Sequence, residues 1–241
     1  MQLRAWLACL LLAGCAPITS TLPPAQPDVV LLGEQHDAAS HPGLQRDWIE
    51  RLARGGTLAA LALEMAERGT TTAGLPASAT DEQVRQALRW TADNGWPWER
   101  YGPAVMAAVR AGVPVLGANL PRAEMRQAMA DPALDGMLPP AALEAQQQAI
   151  RRGHCDLLPE SQIRPMTRVQ VARDRAMAQT LAERTAAGRT VLLIAGSGHV
   201  EPALGVPQHL RRELRVQALV LPPEETGQDY CAEFRRQMQR R

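Results

Sequence analysis

Five short apolar runs recur along the chain, at Val29–Leu32, Leu58–Leu63, Val113–Leu116, Thr190–Ala195 and Val216–Leu221. Each is of strand length and apolar on consecutive positions, the pattern of strands covered on both faces. Between them lie stretches of helical periodicity. His41–Leu52 is amphipathic, and Thr80 with Gln83 makes a capping-box signature for a helix reaching Trp90. Ala104–Ala111 and Ala141–Arg152 follow, the second stopped by Gly153; Ser161–Ala187 is the longest stretch, stopped by Gly188. Strands alternating with such helices predict an α/β domain with a mostly parallel sheet flanked by helices. No linker interrupts residues 28–222, so one domain is expected there, with residues 223–241 as a C-terminal tail. VVLLGEQH (29–36) and LLIAGSGH (192–199) share an apolar strand followed by Gly-x-x-His, which admits a pseudo-repeat.

The N-terminus reads as an address rather than as part of the fold. Arg4 precedes an apolar run from Ala5 to Leu12, far too short to span a bilayer, so residues 1–14 read as a signal peptide. The run closes on Leu12-Ala13-Gly14-Cys15, a lipobox pattern in which small residues thread a peptidase site and the Cys15 thiol receives the lipid. Residues 15–27, rich in Pro and Thr, suit a tether. This address predicts a lipid-anchored protein of the cell envelope, facing the periplasm. Ala16 rather than Asp after the lipidated cysteine points to the outer membrane in a host with two membranes. Cys9 leaves with the signal and Cys15 is acylated, so Cys155 and Cys231 remain, in a compartment that permits disulfides, and are expected to pair.

Charge and composition exclude several chemistries. A formal charge of +1 argues against a nucleic-acid binder working by bulk electrostatics, and 3% aromatics are too few for a stacking platform. All 26 basic residues are arginine, which removes the P-loop lysine, the Schiff base and the Ser–Lys dyad. No GxGxxG follows a strand; HExxH, Gly-x-Ser-x-Gly, CxxC and CxxCH are absent.

The chemistry collects where strands end. Glu34, His36 and Asp37 follow the first apolar run, Glu64 the second, Asn119 the third and His199 the fourth. In open α/β sheets the ligand crevice lies outside the carboxyl ends of the strands, so these residues should converge on one rim. Met166, Val169, Arg173, Met177 and Leu181 share a helical stripe, which turns Arg173 inward. A buried arginine needs a carboxylate, and Glu34 and Glu64 are the candidates. Asp174 beside it is placed to hold a histidine or to orient the arginine.

Seven motifs then occur in order: LLGEQHDAASHPGLQ (31–45), LALEM (61–65), GWPWERYGPAV (95–105), VPVLGANLPR (113–122), GHCDLLPE (153–160), VQVARDRAMAQTL (169–181) and LLIAGSGHVEPALGVPQHL (192–210). Together they resemble the ChaN-like haem-binding lipoproteins of the Tiki superfamily, over residues 28–222. The resemblance implies an α/β fold and, for this branch, non-covalent haem binding linked to iron uptake, with an axial Tyr or His. Tyr101 lies in the matched WPWERYGP motif and His154 in the matched GHC motif. The wider superfamily, which includes erythromycin esterase and Tiki-type metalloproteases, implies a polar site of paired Gly-x-x-His motifs, a Glu and an Arg. Here those fall on His36, Glu64, Arg173 and His199, with Glu34 as the acid of the first motif. The alternative function is therefore a hydrolase in which His36, Glu64 and His199 hold a divalent metal ion (Mn, Zn or Co). Without metal, Glu34 or His36 would act as general base and Arg173 would stabilise an oxyanion. The sequence departs from the pattern where LALEM runs into AERG, with Ala66 in place of a bulkier apolar residue. Expected partners are haem and, through the lipid, the membrane; a homodimer is left open.

Overall fold

The computed structural model describes residues 26–91 and 95–239. The expected signal peptide (residues 1–14), Cys15 and most of the expected tether lie outside the described residues. Among those described, five parallel strands form one sheet: β1 (Val29–Glu34), β2 (Leu58–Glu67), β3 (Val115–Asn119), β4 (Thr190–Gly196) and β5 (Val216–Val220). Their order is β3-β2-β4-β1-β5, so β4 returns late in the chain to sit between β1 and β2. Seven helices flank the sheet: α1 (His41–Arg54), α2 (Asp81–Ala87), α3 (Trp98–Arg110), α4 (Arg122–Ala130), α5 (Pro140–Gly153), α6 (Glu160–Ala182) and α7 (Tyr230–Gln239). No described helix is long and apolar enough to cross a membrane.

The unbroken apolar runs reflect burial of both faces of the sheet. Val30, Leu32, Leu61, Leu63, Leu192 and Ile194 pack with Ile49 of α1 and Val105 of α3. Their neighbours Val29, Leu31, Ala60, Ala62, Val191 and Leu193 pack on the other face with Met177 and Leu181 of α6. A third cluster joins α6 to α4 through Val171, Ala172 and Ala128. The two Gly-x-x-His strands, β1 and β4, lie side by side with Glu34 opposite Gly196. Both histidines therefore arrive on the same rim.

Several boundaries depart from the periodicity. The helix expected over Ala104–Ala111 begins at Trp98, because Pro103 is exposed and costs only the bond to the carbonyl of exposed Glu99. The helix expected to reach Ala187 ends at Ala182. Gly188, at φ +73°, serves a tight turn from Ala186 to Arg189 that feeds β4. The strand expected over Val113–Leu116 starts at Val115 and runs to Asn119, and β2 continues to Glu67. Glu64 and Asn119 thus sit within strands rather than after them. The β2–β3 register shifts between Leu63 and Glu67, an irregularity whose span includes Glu64. The C-terminal tail carries helix α7, and Cys231 within it is joined to Cys155 by a disulfide, Cα atoms 5.5 Å apart. At that junction the chain leaves α5 through left-handed Cys155 and Asp156, at φ +57° and +55°.

Candidate functional site

Glu64 is the hub of the strand-end cluster. It is 2% exposed, and its Oε2 accepts the Gly196 N–H at 2.7 Å. Its Oε1 takes the Arg173 guanidinium, and His199 Nε2 lies 3.4 Å away. Arg173 is fixed from a second side by its Nε–H, which donates to Asn119 Oδ1 at 3.0 Å, while Asn119 Nδ2 donates to the Glu64 carbonyl at 2.8 Å. One guanidinium thereby ties α6 to the ends of β2 and β3. Of the two carboxylates proposed for Arg173, it takes Glu64. Burial alone would raise the Glu64 carboxyl, but His199, Arg173 and His36 outweigh it and hold the group well below the usual carboxylate range.

His199 stands in the 3-10 turn Ser197–Val200 after β4, between two acids. Its Nδ1 lies 2.5 Å from Asp174 Oδ1, and its other nitrogen faces Glu64. Burial would lower its pKa; Glu64 and Asp174 together push it up to about 9. Asp174 Oδ2 is buried with no hydrogen-bond partner. The sequence offered Asp174 either a histidine or the arginine, and the histidine takes it.

A second carboxylate network lies one strand away. Glu34, at the end of β1, accepts from the Tyr101 hydroxyl at 2.8 Å, pairs with His36 Nδ1 at 2.8 Å and takes the Gln45 amide. The His36 ring is 40% exposed and meets Trp96 edge-on, centroids 4.8 Å apart. Its Nε2 turns down toward the floor, 4.0 Å from Glu64 Oε2. A Cβ on Gly196 would stand 2.8 Å from that nitrogen, so the glycine is what lets the ring lie there. Tyr101 is buried, and burial followed by the Glu34 charge pushes its phenol far above the ordinary range.

These residues floor a cleft of about 1100 Å³ at the carboxyl ends of the strands. Trp96, Pro97, Val220 and Leu221 line it with apolar surface, and Arg100 and Arg173 with positive charge. Part of its wall is the C-terminal tail, through Pro223, Gln228 and Tyr230, laid across the β1–α1 loop. Glu224 exchanges two 3.0 Å bonds with the Gln35 side chain, and its carboxylate accepts the Ala39 and Ser40 N–H groups at 2.7 and 3.1 Å. His41, buried, bonds the Gln35 N–H at 3.0 Å with Nδ1 and the Pro222 carbonyl at 2.9 Å with Nε2. Tyr230 donates its hydroxyl to Asp37, and Cys231 anchors the next position to Cys155.

The structure thus brings Glu34, His36, Glu64, Arg173 and His199 together, with Tyr101 beneath them. His154 is elsewhere. Its Nδ1 bonds the Ile150 carbonyl at 2.8 Å, and its ring faces a separate groove of about 470 Å³ with Met166 and Phe234. Tyr101 and His154 therefore do not share a cleft. Sequence reasoning missed Gln45, His41 and Tyr230. Gln45 and His41 are polar positions on the buried side of an amphipathic helix, which is the signal that marks them; Tyr230 lies in a tail with no periodic pattern before it.

The cluster does not suit a divalent cation. Among the described residues no group of three or more His, Cys, Asp or Glu side chains has metal-holding geometry. Glu64, the only carboxylate of the proposed His36, Glu64 and His199 set, is already paired with the Arg173 guanidinium, whose charge repels a metal ion. These three side chains therefore supply no ligand set for a metal-dependent step.

A parallel α/β sheet with a carboxylate–arginine–histidine cluster at its strand ends and an apolar, arginine-bearing cleft above it defines a ligand-binding α/β protein. The chain belongs to the family described as haem-binding uptake, Tiki superfamily, ChaN, whose model matches residues 24–210. Among solved structures, cofacial haem binding to ChaN of Campylobacter jejuni matches at TM-score 0.65 and 23% identity, covering 83% of each chain. The type III effector HopBA1 matches at TM-score 0.45 and 19% identity, covering 84% of this chain and 79% of that one. A search of curated proteins found no match.

Proposed function

We propose that this chain binds haem non-covalently in the strand-end cleft and serves haem or iron acquisition at the cell envelope. The observation that carries the reading is family membership over β1 to β4, joined to a cleft whose lining suits this cargo. Haem is a flat apolar macrocycle bearing two carboxylates, and its binding draws on apolar contact, axial ligation and charge-assisted bonds to the propionates. Trp96, Pro97, Val220 and Leu221 supply the apolar surface, and Arg100 is the cation for the propionates. Of the carboxylates that line the cleft, Glu64 is paired with the Arg173 guanidinium, and Glu34 and Asp37 accept hydrogen bonds from protein donors. The absence of CxxCH leaves no thioether attachment. Lipid on Cys15 would hold the domain at the membrane surface, facing the periplasm from the outer membrane.

Full-length chain, expressed with its N-terminus intact in cells grown with hemin and extracted from membranes in detergent, tests both parts. Intact mass should show loss of residues 1–14 and gain of acyl chains, and the extracted prosthetic group should give a pyridine haemochrome spectrum. A chain retaining residues 1–14 contradicts the anchoring. A membrane-extracted chain free of haem after hemin exposure contradicts the cargo.

A further inference from the structure

Helix α6 turns Arg173 toward the cleft, and two positions on, a rotation of about 200°, it turns Arg175 to another side. There a second cavity of about 460 Å³ opens between α6, α4, Arg68 just after β2 and the 3-10 turn Val206–His209. It shares no lining residue with the cleft, and its volume lies in the range of small-molecule sites. The floor is apolar, with Leu120, Leu134, Ala172 and Ala176 all buried.

The rest of the lining is charged, and its charges are not spent on one another. Arg68 and Arg175 both line the cavity, and neither guanidinium pairs with a carboxylate among the described residues; Arg68 donates to the Gln179 amide oxygen instead. His209 lines it too, and its Nε2 is buried without a hydrogen-bond partner. Burial, and then the charge of nearby Arg175, hold the pKa of that ring down to about 4. A buried nitrogen left without a partner costs free energy that a bound group would recover. The acids come from α4. Glu124 within the helix and Asp131 at its C-terminal cap line the same cavity, and neither forms an ion pair among the described residues. Opposite charges that line one cavity without pairing are held apart by its space.

We propose that this cavity is a second binding site, for a short peptide with both termini free. The peptide carboxylate takes Arg68 and Arg175, with His209 beside them, and the peptide ammonium faces Glu124 and Asp131. Its apolar side chains rest on the floor of leucines and alanines. A ligand that was only an anion would meet the two acids, and one that was only a cation would meet the two arginines. A zwitterion satisfies both sets, with a charge-assisted contact at each end to orient it. A single small amino acid would leave most of the volume empty.

The test is isothermal titration calorimetry of the full-length chain in detergent with trialanine, N-acetyl-trialanine, trialanine amide and alanine. Trialanine should bind saturably, and each blocked form should bind about tenfold more weakly for the one charge-assisted contact it loses. Alanine, which covers little of the floor, should also bind more weakly. Arg175→Gln, an exposed substitution, should weaken trialanine about tenfold. Glu124→Gln with Asp131→Asn should remove the advantage of trialanine over its acetylated form. The proposal is overturned by no saturable heat from trialanine, by equal affinity for the free and blocked forms, or by alanine binding as tightly as trialanine. It is overturned equally by unchanged affinity in Arg175→Gln, or by an advantage over the acetylated form that survives in the double variant. Because the two cavities share no lining residue, each of these outcomes leaves the haem reading standing.

Discussion

Replacing Arg173 by alanine removes the guanidinium from a carboxylate that is 2% exposed. Breaking a buried pair by deleting one partner costs about 3–5 kcal/mol, because the remaining charge has no water to turn to. Two partners survive the change: the Gly196 N–H at 2.7 Å and His199 Nε2 at 3.4 Å. They place the expected loss at the lower end, about 3 kcal/mol, and loss of the Asn119 bridge adds to it. For a chain of this size that corresponds to a fall in melting temperature of about 6–12 °C. Arg175→Ala, an exposed change two positions along the same helix, should stay within about 0.5 kcal/mol of wild type. Arg173→Lys keeps the charge but not the forked reach to Glu64 and Asn119 together, and should fall between. Adding Glu64→Gln to Arg173→Ala should recover part of the loss, because a neutral amide needs no counter-charge. Urea titrations and thermal melts followed by far-UV circular dichroism measure all four variants. Coincident curves for Arg173→Ala and Arg175→Ala would refute the buried pair.

Other consequences can be checked on the same material. His199, raised from 6.5 to about 9, contributes stability that is fully present below pH 6.5 and lost as pH rises through about 9; urea midpoints should fall across that window in wild type and stay flatter in His199→Gln. Cys155→Ser with Cys231→Ser opens a 76-residue loop and should cost up to about 4.5 kcal/mol on chain-entropy grounds, read as a lower urea midpoint; an unchanged midpoint would show the tail to be energetically idle. Gly33→Ala places a Cβ 2.4 Å from Val200 Cγ2 and 3.1 Å from the Ser197 backbone, and should destabilise by about 1–3 kcal/mol, measured by the same denaturation.

The sheet was legible because burial on both faces writes consecutive apolar residues, and Val29–Leu32 or Thr190–Ala195 has no other economical reading. The strand-end rule then carried Glu34, His36, Glu64 and His199 to one rim, and the stripe of Met177 and Leu181 carried Arg173 there. What stayed hidden has physical causes. Pro103 masked the first turns of α3, since sequence does not reveal that its lost hydrogen bond falls on the exposed side. Helix α7 and the strap before it owe their position to Cys231, Glu224 and Tyr230, each bonded to residues more than seventy positions away. Tyr101 stands out by motif, yet its hydroxyl serves Glu34, and His154 belongs to another groove; neither depth nor direction can be read from a residue's motif alone. Hydrogen bonds that cross the fold leave no local pattern.

The central claim is that the cleft over Glu34, Glu64 and Arg173 receives haem. The most direct measurement is a hemin titration of the full-length chain in detergent, followed by absorption, for wild type and for Arg100→Ala with Val220→Glu, a pair that removes a cation from the lining and puts a carboxylate on its apolar wall. Wild type should give a saturable Soret shift, and the double variant, still folded by circular dichroism, should lose saturation. An unsaturable wild-type response matching that of detergent alone, or a saturable shift of equal affinity in the folded double variant, would contradict the account.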